Sequence, residues 1–312
     1  MKVTVKDRRI PSATGLGTTR YRLWIPEDPC AAVQITHGMA EHVERYDAFA
    51  RYLAAQGVLV YGQDHAGHGK STPDAARGFF GVENGWDALL QDMRTLLDLT
   101  RRDYPAIPYV LFGHSMGSFL ARAYAGRDGE DFEAYIFSGT AGRNPMLGLA
   151  KWLARREIRR HGPDQPSELL NRLSFGAYNK AVGGSRTAFD WLSRDAAVVD
   201  RYVADEGCGF VFTAAGMRDL FDGLSEISSA QWAARVPDKP ILLISGACDP
   251  VGGRGGKGVK QVAGWLRQTG HTVECKLYPE ARHEVLNELN REEVYGDIAL
   301  FLETVETMGE LP

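Results

Sequence analysis

The sequence contains the stretch Tyr109-Val-Leu-Phe-Gly113-His-Ser115-Met-Gly117, which carries the pattern Gly-x-Ser-x-Gly. A strand-like apolar run leads into this pattern, and a helix-like run at 119–126 that ends in glycine follows it. A serine held in a strained strand-to-helix turn needs neighbours without Cβ atoms, and the two glycines meet that need. We therefore predict that Ser115 is a nucleophile at the carboxyl end of a strand; a plain glycine-lined turn is the alternative.

Short apolar runs alternate with helical patterns on either side of this stretch. Strands are predicted at residues 31–36, 58–62, 109–112, 134–137, 241–245 and 273–277, and helices at 84–102 and around 294–305. Such alternation is typical of an α/β protein with a mostly parallel sheet that is covered by helices on both faces. Two earlier runs, 3–5 and 21–25, are expected to add an antiparallel edge.

The alternation stops after Gly139. From about 143 to 232 the chain has no strand rhythm and is rich in Trp, Leu, Arg and Phe at helical spacing, with prolines between the segments. We interpret this region as a helical insertion in one catalytic domain. The predicted organisation is a core in two parts, residues 1–140 and 236–312, with an inserted helical cap at 141–235.

The base that activates the serine is sought among the histidines that follow Ser115. A serine hydroxyl is a weak nucleophile and needs a base. In proteins with a catalytic Gly-x-Ser-x-Gly turn, an acidic residue follows the serine later in the chain, and the histidine follows the acid. His161 lies in a basic helical segment, and His271 opens a strand. His283 lies just past the strand 273–277, where catalytic groups are displayed in open α/β sheets. His283 is therefore the predicted base.

The predicted orienting acid is Asp249, which stands a few residues past the strand 241–245 and before a proline. Asp-Pro is also common in ordinary turns, so a side chain that only accepts turn hydrogen bonds is the alternative. Glu280 and Glu284 lie nearer to His283 in the sequence. The loop after a neighbouring strand is nevertheless the better place for the acid.

Two backbone N–H groups are expected to hold the negative oxygen that forms when the serine attacks a carbonyl. One belongs to Met116, directly after the nucleophile, and the other to Met39, in the loop after the strand 31–36. The pair His65-x-x-His68 suggests a metal, yet zinc requires three or four ligands. We interpret the histidines of these loops as packing groups and predict neither a metal nor a cofactor.

The composition is that of an ordinary globular protein. The 312 residues are 44% apolar and 24% charged, and a net charge of −4 offers no basic footprint for nucleic acid. The charged amino terminus is unlike a signal peptide, no apolar run approaches the ~18 residues of a membrane span, and the four cysteines are scattered. These features indicate a cytoplasmic protein.

Five motifs lie in order along the chain: His37-Gly-Met-Ala-Glu-His42 with Arg45-Tyr46, Asp64-His-Ala-Gly-His-Gly-Lys-Ser71, Gly113-His-Ser-Met-Gly117, Trp191-Leu-Ser-Arg-Asp195 and Arg282-His283-Glu284. Together they resemble the monoacylglycerol lipases and the related lysophospholipase-like hydrolases of the serine aminopeptidase S33 family. The resemblance implies an α/β-hydrolase fold with an eight-stranded core and a helical cap. It also implies a triad of Ser115, Asp249 and His283 with backbone donors at Met39 and Met116, in agreement with the assignments made from the residues.

The predicted activity is hydrolysis of a carboxylic ester, namely monoacylglycerol, lysophospholipid or a similar acyl ester, through a Ser-His-Asp triad and an acyl-enzyme. A serine peptidase or amidase shares this triad and differs in the leaving group. A non-catalytic binding protein on the same scaffold is the third alternative. The expected partner is a small acyl ester, bound in a pocket that the cap at 141–235 shapes.

The glycine-rich stretch 252–258 is not a phosphate-binding loop. Val251 and Gly258 stand where such a loop requires glycine and then serine or threonine. We predict a flexible surface loop instead.

Basic residues between 151 and 160 form an amphipathic patch with Trp152, Leu153 and Ile158. Charge runs of this kind are usually solvated, so a solvated face of the cap is the favoured interpretation. Weak contact with an anionic membrane surface is the alternative.

Overall fold

One sheet of eight strands forms the centre of the protein. The computed structural model describes residues 2–183 and 186–309. In chain order the strands are β1 (Thr4–Pro11), β2 (Thr18–Ile25), β3 (Ala31–Thr36), β4 (Val58–Gln63), β5 (Tyr109–His114), β6 (Ala134–Ser138), β7 (Ile241–Gly246) and β8 (Val273–Tyr278). Each predicted strand is present, and most of them extend further at the carboxyl end.

The order across the sheet is β1-β2-β4-β3-β5-β6-β7-β8. Strand β2 pairs antiparallel with β1 and with β4, and the other neighbouring strands are parallel. The predicted mostly parallel sheet with an antiparallel edge is therefore confirmed. Because the parallel strands share one direction, the loops that follow them meet at one edge of the sheet. That edge carries Ser115 after β5, Asp249 after β7 and His283 after β8.

Helices cover both faces of the sheet. They are α1 (Asp47–Ala54), α2 (Gly85–Asp103), α3 (Met116–Asp128), α4 (Leu147–His161), α5 (Glu168–Phe175), α6 (Tyr178–Ala181), α7 (Ala196–Ala204), α8 (Ala214–Ile227), α9 (Ala230–Ala233), α10 (Lys257–Gln268) and α11 (Arg291–Gly309). Short 3-10 turns lie at Val43–Tyr46, Gly129–Asp131, Arg254–Gly256 and Val285–Asn287. Buried side chains of α1 and α11 pack on one face of the sheet, and those of α2, α3 and α10 pack on the other.

The parallel strands owe their place to continuous apolar runs. All six residues of β3, β4, β5 and β7 are buried, as expected for strands that helices cover on both sides. The edge strand β1 is different, because six of its eight residues are exposed and four of those are charged. Charged residues on an edge strand discourage pairing with another chain.

Helices α4 to α9 lie between β6 and β7, in the segment where the sequence loses its strand rhythm. Within its described residues this segment has no strand, and one isolated β-bridge joins Pro166 to Thr213. Helix α8 packs against α4 and also against α3 of the core. Thr213 caps α8 by accepting a hydrogen bond from the N–H of Gly216. The inserted helices therefore rest directly on the helix that follows Ser115.

The surface-loop prediction for 252–258 is wrong in part. Lys257 and Gly258 begin α10, and Gly256 is buried with a φ of 67°. A Cβ atom on Gly256 would press on the Leu277 side chain, so the glycine allows a close approach to β8. Helices α1 and α10 are also absent from the predictions.

No helix within residues 2–183 and 186–309 is long and apolar enough to cross a membrane.

Candidate active site

Ser115 lies at a sharp turn between β5 and α3. Its backbone has φ 52° and ψ −121°, a strained conformation for a residue with a side chain. A Cβ atom on Gly117 would overlap the carbonyl oxygen of Thr36, and one on Gly113 would overlap the backbone of Gly117. Both glycines are therefore required by close backbone contacts, which gives the sequence pattern its physical reason.

The same contacts lead to a stability prediction for Gly117→Ala. The added methyl group meets backbone atoms that have no room to move, so we expect the variant to lose about 1–3 kcal/mol of unfolding free energy. Displacement of Ser115 should also reduce ester turnover, by up to ~10²-fold. Chemical denaturation and kcat/KM measure the two effects. Gly264→Ala is the matched control, since a Cβ atom there meets nothing within 4 Å in α10, and unchanged stability of Gly117→Ala would contradict the packing argument.

Hydrogen bonds hold the serine turn on both sides. The N–H of Ser115 donates to the carbonyl oxygen of Ser138 at 2.9 Å, and the hydroxyl of Ser118 donates to the Ser115 carbonyl at 2.6 Å. Within the described part of the chain, the Ser115 hydroxyl makes no hydrogen bond with His283. Such contacts are often long in unliganded enzymes and close when substrate binds.

His283 and Asp249 form a buried pair at the same sheet edge. Nδ1 of His283 lies 3.0 Å from Oδ2 of Asp249, and the two side chains are 2% and 0% exposed. Because a carboxylate can only accept, Nδ1 carries the proton and Nε2 is left as the basic nitrogen. Burial opposes protonation of the ring, but the charge and hydrogen bond of Asp249 prevail and raise the pKa of His283 above its usual value.

Asp249 serves its own turn as well as the histidine. Its Oδ1 accepts a hydrogen bond from the N–H of Val251 at 2.8 Å, which is the turn interaction weighed as the alternative role. Its Oδ2 faces His283 and also lies 3.1 Å from the hydroxyl of Ser245. The turn bond thus fixes the carboxylate in the orientation that reaches the histidine.

The other acidic residues and histidines that were considered for the acid and the base make different contacts. Glu280 is exposed and contacts Arg194, while Glu284 is buried against Arg45. His161 is exposed beside Glu157 at the end of α4. His271 is buried between α10 and β8, where its Nε2 lies 2.9 Å from the carbonyl oxygen of Val236.

His37 orients the peptide that carries the Met39 N–H. Nε2 of His37 accepts the N–H of His65 at 2.9 Å, so Nδ1 carries the proton and donates to the carbonyl oxygen of Gly38 at 2.8 Å. Burial, with the neighbouring histidines, holds the pKa of His37 well below its usual value and keeps the ring neutral. In a trans peptide the N–H points opposite to the C=O, so the Met39 N–H is directed away from His37.

Two residues that contact His283 were not predicted. The ring of Trp191 lies 5.0 Å from the His283 ring, and that of His114 lies 4.6 Å from it. Burial and the neighbouring His283 hold the pKa of His114 well below its usual value, so His114 packs as a neutral ring. Trp191 belongs to the motif 191–195 that was noted in the sequence, but its pattern alone does not indicate contact with His283.

Polar contacts join the segment around Trp191, which lies between α6 and α7, to the loop that carries His283. The N–H of Glu284 donates to the Leu192 carbonyl at 2.8 Å, and Arg194 donates from Nε to Glu288 at 2.9 Å. The N–H of Arg282 also donates to Glu288, at 2.8 Å. These contacts hold residues 191–194 against the loop that carries His283.

The metal pattern His65-x-x-His68 does not form a ligand set. Burial lowers the pKa of His65 to about 3 and that of His68 to about 4, and both rings pack with His37. Within the described residues, one other group offers three ligand types: His42, Asp205 and Cys208 place one ligand atom each within 4.8 Å of one another.

Two members of this second group, His42 and Asp205, already contact each other. Nε2 of His42 lies 2.8 Å from Oδ2 of Asp205, and the buried guanidinium of Arg45 is close enough to influence both Asp205 and Cys208. A neighbouring cation disfavours a bound metal ion. We therefore interpret the group as a polar contact between the cap and the loop after β3.

Comparison with known proteins identifies the family. A family model described as serine aminopeptidase, S33, matches residues 27–290. The chain belongs to the serine aminopeptidase S33 family. This S33 chain is 32% identical to a monoacylglycerol lipase of Mycolicibacterium smegmatis over 93% of its length and 95% of the relative. Its identity with the monoglyceride lipase of Homo sapiens is 29%, over 73% of this chain and 68% of that protein.

Solved structures agree with the family assignment. A highly thermostable carboxyl esterase from Bacillus coagulans, in complex with glycerol, matches this S33 chain with a TM-score of 0.91. The sequence identity is 30%, and the match covers 98% of this chain and 100% of the esterase. The α/β-hydrolase fold and the resemblance stated from the motifs are thus confirmed. The chain is a carboxylic ester hydrolase.

Proposed function

We propose that the chain hydrolyses monoacylglycerol, lysophospholipid or similar acyl esters through an acyl-enzyme on Ser115. The observation that carries this proposal is the meeting of three groups at one sheet edge. Ser115 stands in its strained turn after β5, and the buried pair of Asp249 and His283 follows β7 and β8. This is the arrangement that a serine nucleophile needs, with a base and a group that orients the base.

The reaction would run in two halves. His283 takes the Ser115 proton on Nε2 while its Nδ1–H stays on Asp249, and the serine oxygen attacks the ester carbonyl. The backbone N–H groups of Met39 and Met116 stabilise the resulting oxyanion. The tetrahedral intermediate collapses, the alcohol leaves with the proton from His283, and water then releases the acid by the same route.

The raised pKa of His283 suits both halves of this cycle. The ring must be neutral to accept the serine proton and charged to protonate the leaving alcohol. The carboxylate of Asp249 stabilises the charged form in the buried site, so the imidazolium that forms during each attack costs less free energy.

The substrate class rests on two supports. Relatives over most of this chain are lipases for monoacylglycerol, and the matching esterase structure holds glycerol. We propose in addition that residues 141–235 act as a cap that covers the acyl chain, because Trp191 of this segment packs on His283. The size of the acyl pocket would then be set by the cap helices.

A panel of esters tests the proposal. Values of kcat/KM are measured for nitrophenyl esters of increasing chain length, for monoacylglycerol, for lysophospholipid and for an aminoacyl amide. Preference for long acyl chains supports the proposed lipase activity, and preference for acetate or butyrate indicates an esterase with a small pocket. Turnover of the amide without any ester hydrolysis would favour the peptidase alternative. Failure of the native protein to react with a fluorophosphonate would favour the non-catalytic binding protein.

We further propose that helix α4 contacts the surface of an anionic membrane. Met146, Leu149 and Trp152 expose 55%, 49% and 50% of their surface at helical spacing. Basic side chains accompany them, and the guanidinium of Arg156 lies 5.6 Å from the centre of the Trp152 ring. Exposed apolar residues flanked by basic ones are typical of helices that lie in a lipid interface.

Trp152→Glu tests this contact. The substitution removes the indole that would enter the lipid interface and adds a negative charge. Binding to phosphatidylglycerol vesicles should therefore weaken on the order of tenfold. Hydrolysis of a soluble short-chain ester should stay unchanged. Co-sedimentation with vesicles measures the binding. Leu300→Glu is the control, because Leu300 is an apolar residue on α11 that is even more exposed, at 63%. Equal vesicle binding by both variants and the native protein would exclude α4 as the contact.

A further inference from the structure

Three buried charged side chains form a bridge between two loops of the active site. The guanidinium of Arg45 donates to Oε2 of Glu41 at 2.6 Å and to both carboxylate oxygens of Glu284, at 2.6 and 2.7 Å. The exposed fractions of the three side chains are 11%, 4% and 5%. Two parallel hydrogen bonds from one guanidinium to one carboxylate fix both the distance and the angle between the groups.

The two ends of this bridge reach the groups proposed for catalysis. Oε1 of Glu41 accepts the N–H of Gly38 at 2.6 Å, and the next peptide along the chain carries the Met39 N–H. At the other end, Glu284 directly follows His283 in the chain. The bridge thus connects the loop of an oxyanion donor to the loop of the base.

The packing around Arg45 extends the connection to the cap. The guanidinium lies 4.7 Å from the centre of the Tyr202 ring on α7. The hydroxyl of Tyr202 donates to the carbonyl oxygen of Ala40 at 2.9 Å, in the same donor loop. The loop that carries the Met39 N–H is therefore held by Glu41 and by Tyr202 of α7.

Stability alone gives a weak reason for such a bridge. Removal of three charges from water costs several kcal/mol per ion, and apolar residues of similar volume often stabilise a protein as well or better. What the ions supply is a defined geometry together with a net charge of −1 beside His283. The charged groups that act on His283 are Asp249, Glu284 and Glu41. The ring of His114 packs against that of His283, and the charge of Arg45 acts on His114.

We propose that Glu41, Arg45 and Glu284 are positioning residues for the hydrolysis. They hold the Met39 N–H at a fixed distance from Nε2 of His283, and the excess negative charge supports the imidazolium that forms during attack. The proposal rests on the proposed function, because it assigns the bridge to the same serine chemistry.

Two substitutions separate the geometric effect from the charge effect. Arg45→Lys keeps the positive charge and loses the two-pronged contact, so kcat and kcat/KM should fall together by about tenfold or more, with the pH profile in place. Glu284→Gln keeps the size of the side chain and removes a negative charge that raises the pKa of His283. Its amide oxygen can accept only one of the two Arg45 hydrogen bonds, so the pH profile, and not kcat, reports the charge effect. The acid limb of its kcat/KM profile should therefore move to lower pH.

The matched controls are Arg127→Lys and Glu226→Gln. Arg127 likewise donates two hydrogen bonds to one carboxylate, from Nε and Nη2 to Glu226 at 2.8 and 2.6 Å, at a more exposed position. Rates are expressed per reactive serine, titrated with a fluorophosphonate, so that loss of folded protein does not count as loss of catalysis.

The outcomes distinguish the two levels of the proposal. If the native enzyme neither turns over esters nor reacts with the fluorophosphonate, the proposed function itself fails. If the native enzyme is active while Arg45→Lys matches its control in kcat and Glu284→Gln keeps the native acid limb, the bridge is a structural contact only and the inference is overturned.

Discussion

Ser115→Ala is expected to abolish ester turnover, with kcat falling on the order of 10⁶-fold if serine, histidine and aspartate act as a unit. In the proposed mechanism the acyl-enzyme forms on the serine oxygen, and the alanine variant has no oxygen at that position. His283 and the backbone N–H groups remain in place, so a residual rate above that of water alone should persist.

The measurement is steady-state hydrolysis of a nitrophenyl ester, together with covalent labelling by a fluorophosphonate. In Ser115→Ala the covalent label should disappear, and ester hydrolysis should fall to the small residual rate. Ser225→Ala is the control, because the Ser225 hydroxyl only bonds to the Phe221 carbonyl within α8. Near-normal turnover by Ser115→Ala would remove the serine from the mechanism and reopen the assignment of the nucleophile.

The variant is also a test of the strained turn. Ser115 has a φ of 52°, and alanine must adopt the same conformation, because Gly113 and Gly117 fix the backbone around it. Thermal unfolding of Ser115→Ala should stay close to that of the native protein, since the Ser115 hydroxyl makes no hydrogen bond in the described part of the chain. Loss of activity with retained stability separates chemistry from folding.

Residues close to strand ends could be predicted from the sequence because their positions follow from topology. Parallel strands place their following loops at one sheet edge, so Asp249 after β7 and His283 after β8 meet there. The glycines around Ser115 could also be used to predict the turn, because a residue without a Cβ atom is recognised directly in the sequence. The buried pair of Asp249 and His283 lies where these rules point.

Contacts between side chains of distant loops could not be predicted in this way. Arg45 and Glu284 are 239 positions apart, and neither periodicity nor a turn rule links them. The contact between Trp191 and His283 depends on how the helical segment between β6 and β7 packs against the loop after β8, which composition does not indicate. The buried residues of 257–268 recur at helical spacing, but the glycine-rich start of this segment favoured the loop interpretation.

Asp249→Asn is expected to reduce kcat by roughly 10⁴-fold while the fold stays intact. Oδ2 of Asp249 accepts the proton of His283 Nδ1, and an asparagine can offer an N–H there instead. The histidine would then carry its proton on Nε2, where it cannot act as a base toward Ser115. The loss is therefore one of tautomer rather than of structure, and unfolding experiments should show little change.

The pH profile of Asp249→Asn gives an independent sign. His283 works in its neutral form, and the charge of Asp249 raises the pKa of that ring, so the native acid limb lies above the usual histidine value. Removal of the charge should move the limb of the residual kcat/KM to lower pH. Glu280→Gln is the control, since the Glu280 carboxylate is 83% exposed on the loop that carries His283. A larger loss in Glu280→Gln than in Asp249→Asn would transfer the orienting role to Glu280, because only a group in contact with the base can select its tautomer.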